Sequence, residues 1–199
     1  MKKKINIGVL GCANIAERYM LTALSKSNFF ELTGVASRSK EKADSFASIF
    51  NTIAYYNYES LLDSNLDAIY IPLPNGLHYE WVKKSLNKNL HVLVEKSLAC
   101  NFDEVKELNL LAKNNGLVLM ENFQFIFHKQ LKFIQDQLDK GSLGEIKILR
   151  TSFGFPPFLD KGSIRYKKAI GGGALLDAGP YTIKVAQIFL GLDIYIDSA

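Results

Sequence analysis

The stretch that most constrains this chain is residues 5–16, which run from Ile5 through Gly11 and Cys12 to Ala16. Ile5, Ile7, Val9 and Leu10 suit a short strand covered on both faces. Gly11 ends that strand, where a residue without Cβ can make a tight turn. A helix is expected to start near Asn14. Ala13 and Ala16 stand where a dinucleotide-binding turn usually has its second and third glycines. Alanine still allows a pyrophosphate to approach the backbone and a helix to pack on its strand, less permissively than glycine. N–H groups at the helix start would face the phosphates. Gly11, Cys12, Ala13, Asn14 and Ile15 are therefore candidate cofactor contacts. A glycine turn between strand and helix is also a common structural connector, so the argument needs what lies downstream.

Downstream, strand and helix alternate. A helix over 14–25 is expected to bury Ile15, Tyr19 and Ala23, at i, i+4 spacing. Residues 31–37 read as a second strand and 40–50 as a helix with Ser39 as N-cap. The second strand ends 26 positions after Gly11. That is close to where, about 20 residues on, an NAD enzyme carries a carboxylate for the adenosine ribose. Here stand Ser37 and Arg38, with Lys42 one turn on. A hydroxyl and a guanidinium bind a 2′-phosphate through charge-assisted bonds, and a carboxylate would repel one. That favours NADP over NAD; the other reading is a solvent-exposed Ser-Arg-Ser turn.

Residues 58–63 read as a short helix and 67–72 as a central parallel strand. Leu73, Pro74, Asn75 and Gly76 form a loop at its carboxyl end, where open α/β sheets bind ligands. His78 opens the next helix, 79–88, as a ligand contact or equally as a capping or surface histidine. Strand 91–94 ends at Glu95, Lys96 and Ser97. Asn101 and Glu104 have capping-box spacing before a helix with Phe102, Val105, Leu108 and Ala112 on its buried face. Strand 117–120 ends at Glu121 and Asn122. No internal repeat interrupts the alternation, which specifies a doubly wound parallel sheet.

The pattern changes near Phe123. Leu131, Ile134 and Leu138 mark an amphipathic helix stopping at Gly141; 145–153 alternates like a strand; 156–169 is an irregular loop. Gly171, Gly172 and Gly173 lead into a helix carrying Asp177 and Tyr181, kinked or ended early by Pro180. Residues 194–196 read as the start of another strand. The expected domains are 1–121 and 122–199.

Composition excludes several classes. The net charge of +4 suits anionic small molecules and is far from a nucleic-acid footprint. Lys2, Lys3 and Lys4 are the one basic run, read as a solvated start. Asn6, Gly8 and Gly11 break the apolar run after it, and no stretch reaches transmembrane length, so a cytoplasmic protein without membrane partners is expected. Cys12 and Cys100 lack metal-ligand spacing and read as small buried or half-buried thiols.

Three stretches together resemble the glucose–fructose oxidoreductase / inositol dehydrogenase (Gfo/Idh/MocA) family: the Gly11 turn, Glu95-Lys96 at a strand end, and the motif from Gly171 through Asp177 to Tyr181. The Pro74-Asn75-x-x-His78 loop also matches a family pattern. The resemblance spans essentially the whole chain. It implies a Rossmann domain followed by an α+β open-sheet domain, incomplete here because relatives continue far beyond the Asp177 helix. The chain is therefore expected to be a fragment or a truncated product. Within the family, the Gly11 turn with Ser37-Arg38, the run 150–155, and Ile164, Arg165 and Tyr166 are similar to NADP-linked nucleotide-sugar 3-ketoreductases. Dihydrodiol-type dehydrogenases share much of the pattern.

The resemblance implies NADP contacts from the Gly11 turn, Ser37, Arg38, Lys42, Leu73, Pro74, Asn75, His78, Glu95, Lys96 and Asn122, and substrate contacts from Arg165, Asp177 and Tyr181. Ketone reduction needs a hydride donor and a proton donor. Tyr181 is the candidate proton donor, its hydroxyl acidified by a nearby ammonium. Lys96 would stabilise the developing alkoxide. Asp177, four residues before Tyr181 and so on the same helix face, would orient Lys96 or bind a substrate hydroxyl. No residue is assigned to a metal. Taken without the resemblance, Asp177 is a helix-start charge and Tyr181 a core aromatic. Homo-oligomers are expected of intact relatives.

Two departures stand out. Ser97 replaces the usual proline after Glu95-Lys96, so a cis peptide there is not assumed, and Ile126 stands where relatives often have arginine. Alternative functions are a dehydrogenase of free sugars, polyols or diols, and a catalytically silent NADP-binding fragment.

Overall fold

The computed structural model describes residues 3–198; Lys2 of the basic run and the outermost ends of the expected domains lie outside the described residues. The chain divides into two compact units, Met1–Asn122 with Ala169–Gly171, and Phe123–Lys168 with Gly172–Ala199.

The first unit is built on six parallel strands: β1 (Ile5–Leu10), β2 (Phe30–Ala36), β3 (Ile53–Tyr55), β4 (Ala68–Ile71), β5 (His91–Glu95) and β6 (Leu119–Asn122). Their order is β3-β2-β1-β4-β5-β6, the doubly wound Rossmann arrangement. β3 escaped the sequence reading because three residues are too short for a periodic signal.

The two faces of the sheet follow from strand alternation. Leu10, Ala36, Ile69, Ile71, Val92 and Val94 point to one face, under α3 (Tyr58–Leu62), α4 (Asn75–Asn87) and α5 (Phe102–Asn114), with Trp81, Val82, Leu86 and Leu108 buried against them. Ile7, Val9, Val35, Ala68 and Tyr70 point to the other. There Ala16, Leu21 and Leu24 of the first helical segment and Phe46 and Ala47 of α2 (Lys40–Phe50) cover them.

Local chemistry sets the helix starts. The Ser39 side chain accepts from the Lys42 N–H, and Asn101 accepts from that of Glu104. Glu104 reaches back one residue further than a reciprocal capping box, to the Cys100 N–H at 3.1 Å.

Three expectations here are corrected. The segment after Gly11 is helical over 14–25, but Ala16–Leu21 is a π-helical turn leading into α1 (Thr22–Ser25). The wider turn displaces the buried face to Ala16, Leu21 and Leu24, leaving Ile15 and Tyr19 exposed. Phe102, expected on the buried face of α5, is exposed; it is the first helical residue, and burial begins with Val105 and Leu108 a turn later. α4 starts at Asn75, four residues before the expected start, because Pro74 with φ −60° already presents the chain in a helix-compatible direction.

The second unit holds a 3₁₀ turn (Gln124–Phe127), α6 (Lys129–Asp139), two further 3₁₀ turns (Ile164–Tyr166 and Lys168–Ile170, the latter shared with the first unit), α7 (Ala174–Asp177) and α8 (Gly179–Leu190). Leu131, Ile134 and Leu138 are half-buried on α6 as their spacing predicts. The strands expected at 145–153 and 194–196 form no ladder among the described residues. An alternating sequence becomes a strand only when another strand takes up its backbone groups.

Candidate functional site

The first unit gathers most of the predicted residues at the carboxyl edge of its sheet. β1 and β4 are adjacent there, and the connections leave them in opposite directions, which makes the switch-point crevice of an open α/β sheet. Gly11 stands at that point. Its φ is +124°, a conformation that favours glycine, and a Cβ built on it would lie 2.7 Å from Leu73 Cδ2, so the Leu73 side chain would have to move as well. Cys12 is half-buried beside it. Burial pushes its thiol up to about 11, against a hydrogen bond with Ser37 and the charge of Lys42. Ala13 is half-buried, and Asn14 and Ile15 are exposed.

At the end of β2 the two residues offered for a 2′-phosphate differ. Ser37 is buried, and its hydroxyl accepts from the Ser39 N–H at 3.1 Å. Arg38 is exposed. Burial raises the Tyr58 pKa, and Arg38 opposes that rise. Lys42 is exposed on the first turn of α2.

After β4, His78 is neither a cap nor a surface residue: it is fully buried. Its Nδ1 lies 2.6 Å from the Ser97 carbonyl and its Nε2 2.7 Å from the Leu73 carbonyl. Two carbonyl oxygens favour a doubly protonated ring, but burial acts more strongly and holds the His78 pKa below its usual value. Asn75 Oδ1 accepts from the Ser97 N–H at 3.3 Å, and its Nδ2 donates to the Gly171 carbonyl at 3.1 Å. Lys96 is half-buried at the carboxyl end of β5. The Lys96–Ser97 peptide is cis although serine stands at the second position.

Beneath Lys96, three strands contribute one buried hydrogen-bonded group. Glu95 Oε1 accepts from the Tyr70 hydroxyl at 2.6 Å and from Asn122 Nδ2 at 2.7 Å. Glu95 and Asn122 are direct register partners, and Tyr70 approaches from β4. Burial, with the Glu95 charge second, raises the Tyr70 pKa. Tyr70 was hidden in the sequence inside an apolar run, where tyrosine reads as core. Glu121 was also passed over; its Oε1 accepts from the Leu98 N–H at 2.9 Å. Cys100, expected to be buried or half-buried, is exposed just before α5.

The second unit holds the other three candidates. Arg165 Nε donates to Asp177 Oδ2 at 2.9 Å, and its guanidinium carbon stands 4.5 Å from the Phe158 ring centroid. Tyr181 packs on Phe123, Phe125 and Phe153, with ring centroids 5.1–6.2 Å away. The expectation that Asp177 and Tyr181 share one helix face is corrected: α7 ends at Asp177, Ala178 intervenes with φ −107°, and α8 starts afresh at Gly179. Pro180 lacks the N–H that a continuous helix would direct to Leu176.

Residues 5–123 match the family described as "Oxidoreductase family, NAD-binding Rossmann fold" (GFO_IDH_MocA), and residues 131–195 match the GFO/IDH/MocA C-terminal domain. The chain belongs to the Gfo/Idh/MocA family. Among curated Gfo/Idh/MocA proteins it is 43% identical over 191 residues to dTDP-3,4-didehydro-2,6-dideoxy-alpha-D-glucose 3-reductase of Actinomadura kijaniata, covering 96% of this chain and 57% of the relative. It is 36% identical over 186 residues to D-xylose 1-dehydrogenase (NADP(+)) 2 of Haloferax volcanii, covering 92% of this chain and 57% of that one. Among solved structures, KijD10, a 3-ketoreductase from Actinomadura kijaniata in complex with NADP and TDP-benzene, superposes with a TM-score of 0.92 at 43% identity, over 95% of this chain and 58% of that one. The chain thus spans less than three fifths of these relatives' length. Among the described residues, no helix is long and apolar enough to cross a membrane, and no cluster of His, Cys, Asp and Glu could hold a metal ion.

Proposed function

We propose that this chain is the cofactor-binding portion, with part of the substrate domain (residues 122–199), of an NADP(H)-dependent oxidoreductase. The reaction is hydride transfer between the nicotinamide and a sugar carbonyl or hydroxyl, on a nucleotide-linked 3-keto sugar. The observation that carries this reading is the 43% identity to a dTDP-sugar 3-reductase across both family segments. The residues present suit the cofactor. The turn at Gly11 brings backbone close to the crevice, and the strand-two end offers the exposed Arg38 with Lys42 on the following turn, where Ser37 and Arg38 stand in place of a strand-end carboxylate. Gly11, Cys12, Ala13, Asn14, Ile15, Ser37, Arg38 and Lys42 would hold it, with Leu73, Pro74, Glu95, Lys96 and Asn122 around the crevice and Asn75 and His78 bonded to the backbone that carries Lys96.

When bound, NADPH supplies the hydride. Lys96 stabilises the charge that develops on the carbonyl oxygen. Tyr181 delivers the proton to that oxygen. Arg165 contacts the substrate, and Asp177 orients Lys96 or holds a substrate hydroxyl. The protein acts in the cytoplasm, and the intact enzyme self-associates.

Titration calorimetry tests the cofactor. Arg38→Ala should weaken NADP binding about tenfold or more, the loss of one charge-assisted contact, and leave NAD binding nearly unchanged. Equal affinity of the unaltered protein for NADP and NAD overturns the assignment. A second reading, oxidation of a free sugar, draws on the match to the Haloferax volcanii xylose dehydrogenase. A panel of nucleotide sugars and free sugars, run on the full-length protein, separates the two. NADP binding without turnover on any of them leaves a silent binding module.

A further inference from the structure

Both backbone polar groups of Ser97, the residue after Lys96, are taken by side chains from the first turn of α4. Its N–H donates to Asn75 Oδ1, and its carbonyl oxygen lies 2.6 Å from His78 Nδ1. Asn75 and His78 are three residues apart at the start of a helix, the spacing that turns two side chains to one side. Each also reaches a second segment: Asn75 Nδ2 donates to the Gly171 carbonyl, and His78 Nε2 lies 2.7 Å from the Leu73 carbonyl.

The room around this arrangement is small. A Cβ on Gly76 would lie 2.7 Å from the Ile170 backbone, and one on Gly171 would lie 2.7 Å from the Gly76 nitrogen. His78 is fully buried. Within the first unit, Asn75 and His78 therefore tie four segments together: the loop after β4, the first turn of α4, the turn after β5 and residues 169–171. On the other side of Lys96, Tyr70 and Asn122 hold the Glu95 carboxylate.

We propose that Asn75 and His78 are positioning residues for Lys96: by holding Ser97 from both sides they fix the backbone from which the Lys96 ammonium reaches the reacting carbonyl. This assigns the Pro74-Asn75-x-x-His78 motif to the lysine and not to direct contact with the cofactor. A neutral His78 ring donates to only one of its two carbonyl neighbours, and the proposal places that proton on Nδ1, facing Ser97. The inference rests on the reading of Lys96 as a catalytic residue.

The test compares Asn75→Ala and His78→Ala with the conservative Asn75→Asp and His78→Gln. Asn75→Asp keeps an acceptor for the Ser97 N–H, and His78→Gln keeps a donor for its carbonyl. In the full-length protein the alanine variants should lower kcat roughly tenfold or more, on the scale of an ångström-level misplacement, with the NADP Kd within about twofold of the unaltered protein. The conservative variants should recover most of that loss. Acylation of Lys96 by acetic anhydride, followed by mass spectrometry against the exposed Lys113, should change in rate and pH profile in the alanine variants and return in His78→Gln, which adds no charge beside the lysine. This second readout needs no substrate, so it decides the positioning role even if no sugar is turned over. Nitrogen-15 NMR of the His78 ring should show the proton on Nδ1. A weakened NADP Kd with unchanged kcat, or an unchanged Lys96 acylation profile in both alanine variants, overturns the proposal. If the alanine variants do not fold, His78→Gln, which adds no charge, carries the same readouts: near-normal Lys96 acylation supports the role, and a profile that shifts even though the Ser97 contact is kept overturns it.

Discussion

Tyr70 is a fully buried side chain whose hydroxyl donates to a nearly buried carboxylate. Tyr70→Phe removes that donor while keeping the ring's packing, so Glu95 keeps Asn122 and loses one charge-assisted bond. The expected loss is about 1.5–3 kcal/mol, read as a lower denaturation midpoint at unchanged m value. A variant as stable as the parent would mean that Glu95 regains its hydrogen bond from elsewhere. His78 gives the chain a pH dependence at the same scale. Its folded pKa is depressed, by burial first and by the Lys96 charge last, with the two carbonyl contacts and Glu95 opposing. Above about pH 6.5 the ring is neutral in both the folded and the unfolded chain, and its full contribution to stability is present. As pH falls below that, the unfolded chain takes up a proton that the folded ring resists, and the contribution is lost toward the folded pKa. Urea midpoints measured from pH 7.5 to 5 should therefore fall, and His78→Gln should flatten the part of that slope due to this ring.

At the scale of elements, helix starts carry the clearest arguments. Ser39, with extended backbone and its hydroxyl accepting the Lys42 N–H at 3.3 Å, closes an N–H that α2 cannot satisfy itself. Ser39→Ala should cost about 1 kcal/mol, within the usual range for a lost N-cap, and thermal melts would show it. Ser39→Asp should keep most of that stability. The first helical segment makes the opposite point. Its interior π turn shifts which residues meet the sheet, and a spacing rule built on 3.6 residues per turn cannot anticipate it.

Over the whole molecule, stability should be unevenly distributed. The first unit buries side chains on both faces of its sheet, whereas among described residues of the second unit only Phe123 is buried. Amide hydrogen exchange should therefore be slowest in β2, β1, β4 and β5, the strands flanked on both sides, and fast over 145–157, which joins no ladder. Uniformly slow exchange through 145–157 would show that this segment gains a partner in solution.

By itself the sequence determined the elements whose signals are local and periodic. The alternating apolar runs specified five of the six parallel strands, Ser39 and Asn101 marked their helices, and the Gly11 turn, Glu95-Lys96 and Gly171–Tyr181 motifs specified the family. These depend on neighbours in the chain, and neighbours are what a sequence displays. Tertiary structure alone decided where polar side chains found their partners. Tyr70 looks like one more apolar residue until β4 and β5 lie side by side and bring its hydroxyl to Glu95. That Asn75 and His78 bond Ser97 shows only when α4 and the turn after β5 lie together. Residues 145–153 look like a strand, yet a strand is a property of two segments, and the second one has to arrive from elsewhere in space.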